Sequence, residues 1–188
     1  MDSSIIITFA IPLFFGLILI EFFYGVITKQ NNYRINDAIT SMSLGLISRF
    51  VPILGLGFQY VVYKAVAEHY NLKLLSGEEI WVWVTAFILY DICYYWMHRI
   101  HHEIKVFWAT HVVHHHGEEF NLATALRQTS TGFLWKWVFF LPLFIIGIPP
   151  QMYVTVAGLN LVYQFWVHTE HIGCLLYTSD AADDRRCG

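Results

Sequence analysis

The sequence predicts an all-α fold, an integral membrane bundle of helices with a histidine-rich metal site at its cytosolic end. Three observations carry that prediction. Apolar residues make up 56% of the 188-residue chain and charged residues only 13%, against roughly 25% charged in an average soluble domain. Too few charges remain to cover a water-facing globule, so lipid is the expected solvent over much of the surface. Long apolar blocks recur at about the 20 residues that a bilayer-crossing helix needs. Seven of the ten histidines fall between His98 and His116, at helical spacings. The net charge of −3, with no basic stripe among the aromatics, argues against a nucleic-acid partner. The three cysteines show no CxxC spacing and no disulfide framework.

Residues 5–27, "IIITFAIPLFFGLILIEFFYGVI", carry one charge, Glu21, in 23 positions and predict the first span. A basic leader and a small-residue cleavage site are both lacking, which sets aside a cleaved signal peptide. A second block, from about 38 to 67, is interrupted by Arg49, Pro52, Gly55 and Gly57. The third, "IWVWVTAFILYDICYYWM", runs from Ile80 to Met97 straight into the histidines. After Arg127, "FLWKWVFFLPLFIIGI" and "QMYVTVAGLNLVYQFWV" flank Pro149-Pro150 and predict a helical hairpin, either two full spans or a partly inserted pair. Lys29 and Arg34 follow the first span, and Arg99, Lys105 and Arg127 follow the third. Placing those five on one side leaves Lys64 and Lys73 on the other, so the positive-inside rule puts the N-terminus outside and the histidines in the cytoplasm.

The last fifteen residues break with this text. "CLLYTSDAADD", from Cys174 to Asp184, reads as translated sequencing-adapter DNA, TGTCTCTTATACACATCT giving Cys-Leu-Leu-Tyr-Thr-Ser, in preference to a native acidic tail. Residues 1–173 are therefore taken as one truncated membrane domain, residues 174–188 as non-native, and the natural chain is expected to continue past Gly173.

On a helix, His98 and His102 share one face, because residues four apart stack one turn above the other. His111 and His115 repeat that spacing, and His114 fills the i+3 position between. Five protonated rings in one space would repel one another, so the set implies neutral imidazoles around a cation. Imidazole suits zinc, copper, iron and nickel. A single structural zinc needs four ligands; five are present, His168 in "QFWVHTEH" offers a sixth and His171 a weaker seventh. That surplus favours a binuclear centre. Glu103 adjoins His102, where it is either a bridging, orienting or acid–base group, or an ordinary surface partner of Arg99 or Lys105. His69, His101 and His116 fit polar tips at a membrane boundary. Asp91 and Asn121 are candidates to orient ligand imidazoles by hydrogen bonds. Trp96, Phe107 and Trp108 either wall a path from bilayer to metal or form an interfacial belt. "HHEIKV" begins like the HExxH of zinc proteases, but Val106 stands where the second ligand belongs, which removes that reading.

"DICYYWMHRIHHE", "WATHVVHHHGEEFNLATALRQ" and "YQFWVHTE" resemble the fatty acid hydroxylase superfamily of membrane di-iron enzymes, also called the sterol desaturase family. "NLATALRQ" and "YQFWVHTE" are most similar to its alkylglycerol monooxygenase branch. The resemblance covers about residues 80–172. It implies a helical membrane oxidoreductase whose cytosolic histidines hold two irons and whose substrates are dioxygen and a lipid chain, hydroxylated or desaturated. The implied iron ligands are His98, His102, His111, His114, His115 and His168, and Glu103 matches a glutamate of the branch. A final HxxHH cluster is implied within about 60 residues after His168, so residues 1–173 alone are expected to hold an incomplete, inactive site. In that branch, hydroxylation beside an ether oxygen gives an unstable hemiacetal that separates into aldehyde and glycerol, with a reduced pterin as electron donor. No GxGxxG or other nucleotide-binding signature is present, so the electron donor is external to this chain. The rival readings are a membrane metal-ion carrier and a structural zinc protein; the cluster just after a span, rather than at mid-membrane on broken helices, favours the enzyme.

Overall fold

A computed structural model describes residues 3–53, 58–75, 77, 79–169 and 171; the adapter reading of 174–188 lies outside them. Every regular element among the described residues is a helix, and no strand occurs among them. Helix α1 spans Ser3–Thr28, α2 Ile35–Ile53, α3 Gln59–His69, α4 Ile80–Glu103, α5 Lys105–His115, α6 Lys136–Ile146 and α7 Pro150–Phe165. Two short 3₁₀ turns, Thr124–Leu126 and Gly132–Leu134, lie between α5 and α6. Two helices are long and apolar enough to cross a membrane, over Ala10–Thr28 with mean hydropathy 2.2 and Ile80–Glu103 with 1.3. The interrupted second block becomes α2 and α3. The predicted hairpin forms as α6 and α7, of 11 and 16 residues, about 17 and 24 Å at 1.5 Å per residue. Both fall short of the roughly 30 Å hydrocarbon thickness, so the partly inserted pair is the form that the lengths permit.

Helix α4 is the hub and packs on α5, α6 and α7. Val82, Ala86, Tyr90, Met97, His98 and His101 are its buried positions, so its inward stripe starts apolar and ends in imidazoles. The apolar part meets Tyr63 of α3, Phe140, Leu143 and Phe144 of α6, and Met152 and Val156 of α7. Aromatic rings bind this core together: Tyr63 stacks on Phe144 with centroids 4.2 Å apart, and Tyr90 on Phe140 at 4.9 Å, where offset stacking adds to area burial. The outer face of α4 leaves Trp81, Val84, Ile88, Ile92 and Trp96 exposed. Such a continuous apolar surface belongs to a lipid contact rather than to water.

A second core joins α1 to the far end of α7. Ala10, Phe14 and Ile18 line one face of α1 at four-residue spacing and pack on Phe165 and on Leu122, Ala123 and Ala125; Phe14 stacks on Phe165 at 4.1 Å. At the opposite end, Gly147 closes α6 with a φ of 122°, a region that side chains avoid. There the backbone N–H groups of Leu72, Leu74 and Leu75 donate to the carbonyls of Ile145 and Ile146, supplying partners to the last turn of α6.

Candidate metal centre

One extended residue places the two histidine motifs face to face. Ile104, with φ −106° and ψ 120°, closes α4 by donating its N–H to the Ile100 carbonyl and opens α5 by accepting from Phe107 and Trp108. Because no loop intervenes, the last turns of α4 and the body of α5 meet at close range. His98 and His102 then approach Nε2 to Nε2 at 3.1 Å, and His111 and His115 at 2.9 Å. Coordinating nitrogens of these four lie within 4.8 Å of one another. Ring centroids of His98 and His111 are 4.7 Å apart, and of His102 and His115 4.5 Å. Each pair therefore continues into the other.

His114 does not join that four-membered group. Its Nδ1 donates to the Arg127 carbonyl at 2.7 Å, and its Nε2 faces Nε2 of His168 at 3.3 Å. His168 is fixed in the same manner, its Nδ1 donating to the Gln164 carbonyl at 2.8 Å. A carbonyl oxygen can only accept, so each Nδ1 carries the hydrogen and each neutral ring presents Nε2 as a lone pair. Two lone pairs facing at 3.3 Å repel unless a cation sits between them. A proton is a poor candidate, because burial, foremost, and then the neighbouring His168 push His114 down to about 3. His111 is likewise held far below the usual imidazole range, by burial first and then by His98, His114 and His115. The donor set is thus convergent, with His111 and His114 held neutral by burial, and it fits divalent metal ions with a preference for nitrogen. With His114 and His115 rings 5.1 Å apart, the four-imidazole group and the His114–His168 pair form one continuous cluster.

Aromatic rings wall this cluster. Trp108 packs on His102 at 5.3 Å and on His115 at 5.6 Å; Tyr94 stacks on His98 at 5.9 Å and Phe120 on His168 at 5.8 Å. Phe107 lies 5.2 Å from His101. Trp96 faces away, with the Arg99 guanidinium 5.5 Å over its ring, so only two of the three expected wall aromatics flank the histidines.

Several sequence expectations change. His101 is no boundary tip: it is fully buried behind His111, donates from Nδ1 to the Met97 carbonyl, and keeps a buried Nε2 with no hydrogen-bond partner among the described residues. His171 stands apart, edge-on to Tyr24 at 5.3 Å, and with Gln30, Asn31, Asn32 and Glu119 lines a polar cavity of about 430 Å³. Asp91 accepts from Asn160 Nδ2 at 3.3 Å and ties α4 to α7 instead of orienting an imidazole. Asn121 is spent on its own loop, accepting from the N–H groups of Ala123 and Thr124 and donating to the Asn32 carbonyl. His69 is exposed and bonded to the Ala65 carbonyl of its own helix. Glu103 is half-exposed and pairs with Arg99 at 2.8 Å, the i,i+4 surface partner that the sequence offered.

Arg127 is the residue that sequence reasoning missed. Counted there as a loop charge, it is buried. Its Nε donates to the Val113 carbonyl at 2.8 Å, and its Nη1 donates to Asp37 Oδ1 at 3.1 Å and to Ser41 Oγ at 3.2 Å. Arg127 thereby holds the end of α5 from one side while its own carbonyl orients His114. The available signal was a lone arginine closing the otherwise uncharged run "FNLATALR".

The fatty acid hydroxylase family model matches residues 83–184, a segment containing all six clustered histidines. Among curated proteins, the alkylglycerol monooxygenase of Danio rerio is 40% identical over 162 residues, covering 86% of this chain and 36% of that protein. The alkylglycerol monooxygenase of Homo sapiens is 40% identical over 167 residues, covering 88% and 37%. That of Caenorhabditis elegans is 29% identical over 150 residues, covering 79% and 30%. The chain thus spans little more than a third of the length of the curated relatives it matches. No solved structure shows significant similarity.

Proposed function

This chain belongs to the fatty acid hydroxylase family, and from that premise we propose that it is part of a membrane-bound di-iron oxidoreductase that uses dioxygen to hydroxylate or desaturate a lipid. The family is one of di-iron hydroxylases, and the relatives are named for alkylglycerols, so an ether lipid is the first substrate to test. The observation that carries the reading is the convergence of imidazoles from α4, α5 and the segment after α7, above all the facing lone pairs of His114 and His168.

In this reading His98, His102, His111, His114, His115 and His168 hold the metal. Bound iron would supply the activation of dioxygen that attack on an unactivated C–H bond requires. The protein's own part is orientation and enclosure. Carbonyls of Arg127 and Gln164 fix the tautomers of His114 and His168, as ligand imidazoles generally require. Trp108, Tyr94 and Phe120 cover the rings and keep water from their flanks. Glu103 is the candidate acid–base group. Its pair with Arg99 is exposed and screened by solvent, so the carboxylate can leave it for the neighbouring site at small cost. Electrons come from an external donor, for which the family resemblance suggests a reduced pterin. The cytoplasmic orientation is supported by Lys29, Arg34, Arg99 and Lys105, all near helix ends on the histidine side.

The test is metal analysis of the full-length protein purified from membranes, with oxygen consumption measured during turnover of an alkylglycerol. About two irons per chain and oxygen-dependent aldehyde release are expected. Exchangeable zinc with vectorial uptake, or tightly held zinc with no oxygen use, overturns the oxygenase in favour of a carrier or a structural site.

A further inference from the structure

Glu21 is the single charged residue of the apolar block 5–27, and the structure buries it at 6% exposure on the inward face of α1. Charged side chains inside spanning helices are costly and rare, so a buried one calls for partners and a role. Its partners come from three distant parts of the chain. Oε2 accepts the Leu122 backbone N–H at 2.8 Å and the Tyr33 hydroxyl. Oε1 accepts the Thr169 hydroxyl. Burial first, and then the carboxylate itself, hold the Tyr33 phenol well above its ordinary range, which keeps it a donor.

Two of those partners frame a single imidazole. Thr169 follows His168 directly and is 3% exposed. Leu122 belongs to the loop whose Phe120 stacks on the His168 ring. Glu21 thus grips both the chain leaving His168 and the loop lying over its face. His168 comes from a segment beyond the end of α7, Phe165, where the regular ladder of helix bonds no longer fixes backbone direction. An anchor at Thr169 makes up for that loss. Helix α1 on this view is more than a membrane anchor, because it supplies the far end of a strut.

We propose that Glu21 is a positioning residue of the metal centre, its carboxylate latching Thr169 and the 120–122 loop so that His168 faces His114. The inference rests on the reading of His168 as a metal ligand. Its test is cobalt(II) binding to the full-length protein, followed by titration and by the visible absorption of the bound ion. T169V removes one hydroxyl beside His168, and E21L removes the carboxylate. Each is expected to weaken binding roughly 10- to 100-fold, the usual cost of losing a group that orients a ligand, and to alter the cobalt spectrum. E21Q is expected to recover most of the affinity, since an amide can accept from Leu122 and Tyr33 while donating to the Thr169 hydroxyl. T28V, the same chemical change on the exposed end of α1, leaves affinity and spectrum unchanged. Wild-type affinity and spectrum in T169V overturn the latch, and T169V decides the matter if E21L does not fold. H168A separates the two levels: if it too binds cobalt normally, the ligand reading has failed, whereas loss in H168A with normal T169V and E21L removes the latch alone.

Discussion

Arg127 and Glu103 show how differently one charge can act at the edge of the same cluster. The Arg127 guanidinium is buried between α2 and α5, with Asp37 as its charged partner at 3.1 Å. Breaking a buried pair by deleting one member leaves an uncompensated charge, at a cost of about 3–5 kcal/mol. D37A is therefore expected to lower the thermal midpoint strongly and to weaken metal binding, because the Arg127 carbonyl that orients His114 moves with its side chain. R127A with D37A should cost less than the sum of the two single changes; strict additivity in thermal scans would show that the pair does not interact. Glu103 stands at the other limit. Its pair with Arg99 is exposed, so E103Q is expected to leave the thermal midpoint and metal content unchanged while lowering turnover about 100-fold or more, the scale of lost acid–base catalysis. Unchanged turnover in E103Q would return Glu103 to the role of surface partner. The Arg99–Glu103 contact was legible from i,i+4 spacing alone. The Asp37–Arg127 contact was not, because nothing local in the sequence links positions 90 residues apart.

Spacing repeats govern the elements as well. Asp37, Ser41 and Gly45 recur every four residues on α2, and this face meets the turn at Thr124–Leu126 and the arginine after it. Gly45 permits the approach: a Cβ there would stand 2.4 Å from the Leu126 carbonyl oxygen. G45V is expected to push α2 off the turn, costing about 1–3 kcal/mol as overpacking does, and to weaken metal binding through the same Arg127 route, with G45A smaller in both respects. Thermal scans of the three proteins check this, and a G45V midpoint equal to wild type would rule out the close approach. The histidine motifs were readable for a related reason. HxxxH and HxxHH each repeat with one helical turn, so the helices and their shared face followed from spacing. What spacing left open was rotation of individual rings. His114 turns from its own helix neighbours towards His168, because the Arg127 carbonyl captures its Nδ1, and His101 is buried by Phe107 and Phe139. Both outcomes depend on packing partners that lie outside the motif.

At the scale of the whole molecule, composition announced a lipid environment, and the exposed apolar faces of α1 and α4 bear that out as surfaces suited to a membrane. At the end of α4, on α5 and just past α7 the protein gathers histidines, and the burial of His111 and His114 has a consequence for stability. His114 has a folded pKa pushed down to about 3, below the ordinary value near 6.5 for the unfolded chain. Between those limits the unfolded chain binds a proton that the folded chain refuses, so stability rises with pH across the window. It is complete above about pH 6.5 and declines as pH falls towards 3. At pH 5 His114 alone accounts for roughly 2 kcal/mol, and His111 acts in the same direction. Metal opposes this loss, since it binds the folded state and occupies the same lone pairs that acid seeks. The expected result is a pair of diverging curves: on lowering pH from 7.5 to 5, the thermal midpoint of chelator-treated protein falls steadily. A metal-loaded form is expected to hold its midpoint further into acid and then to drop as the metal leaves. A chelated protein whose midpoint stayed level or rose over that range would mean that the histidines are not held neutral by burial, and the case for a convergent metal centre would lose its electrostatic support.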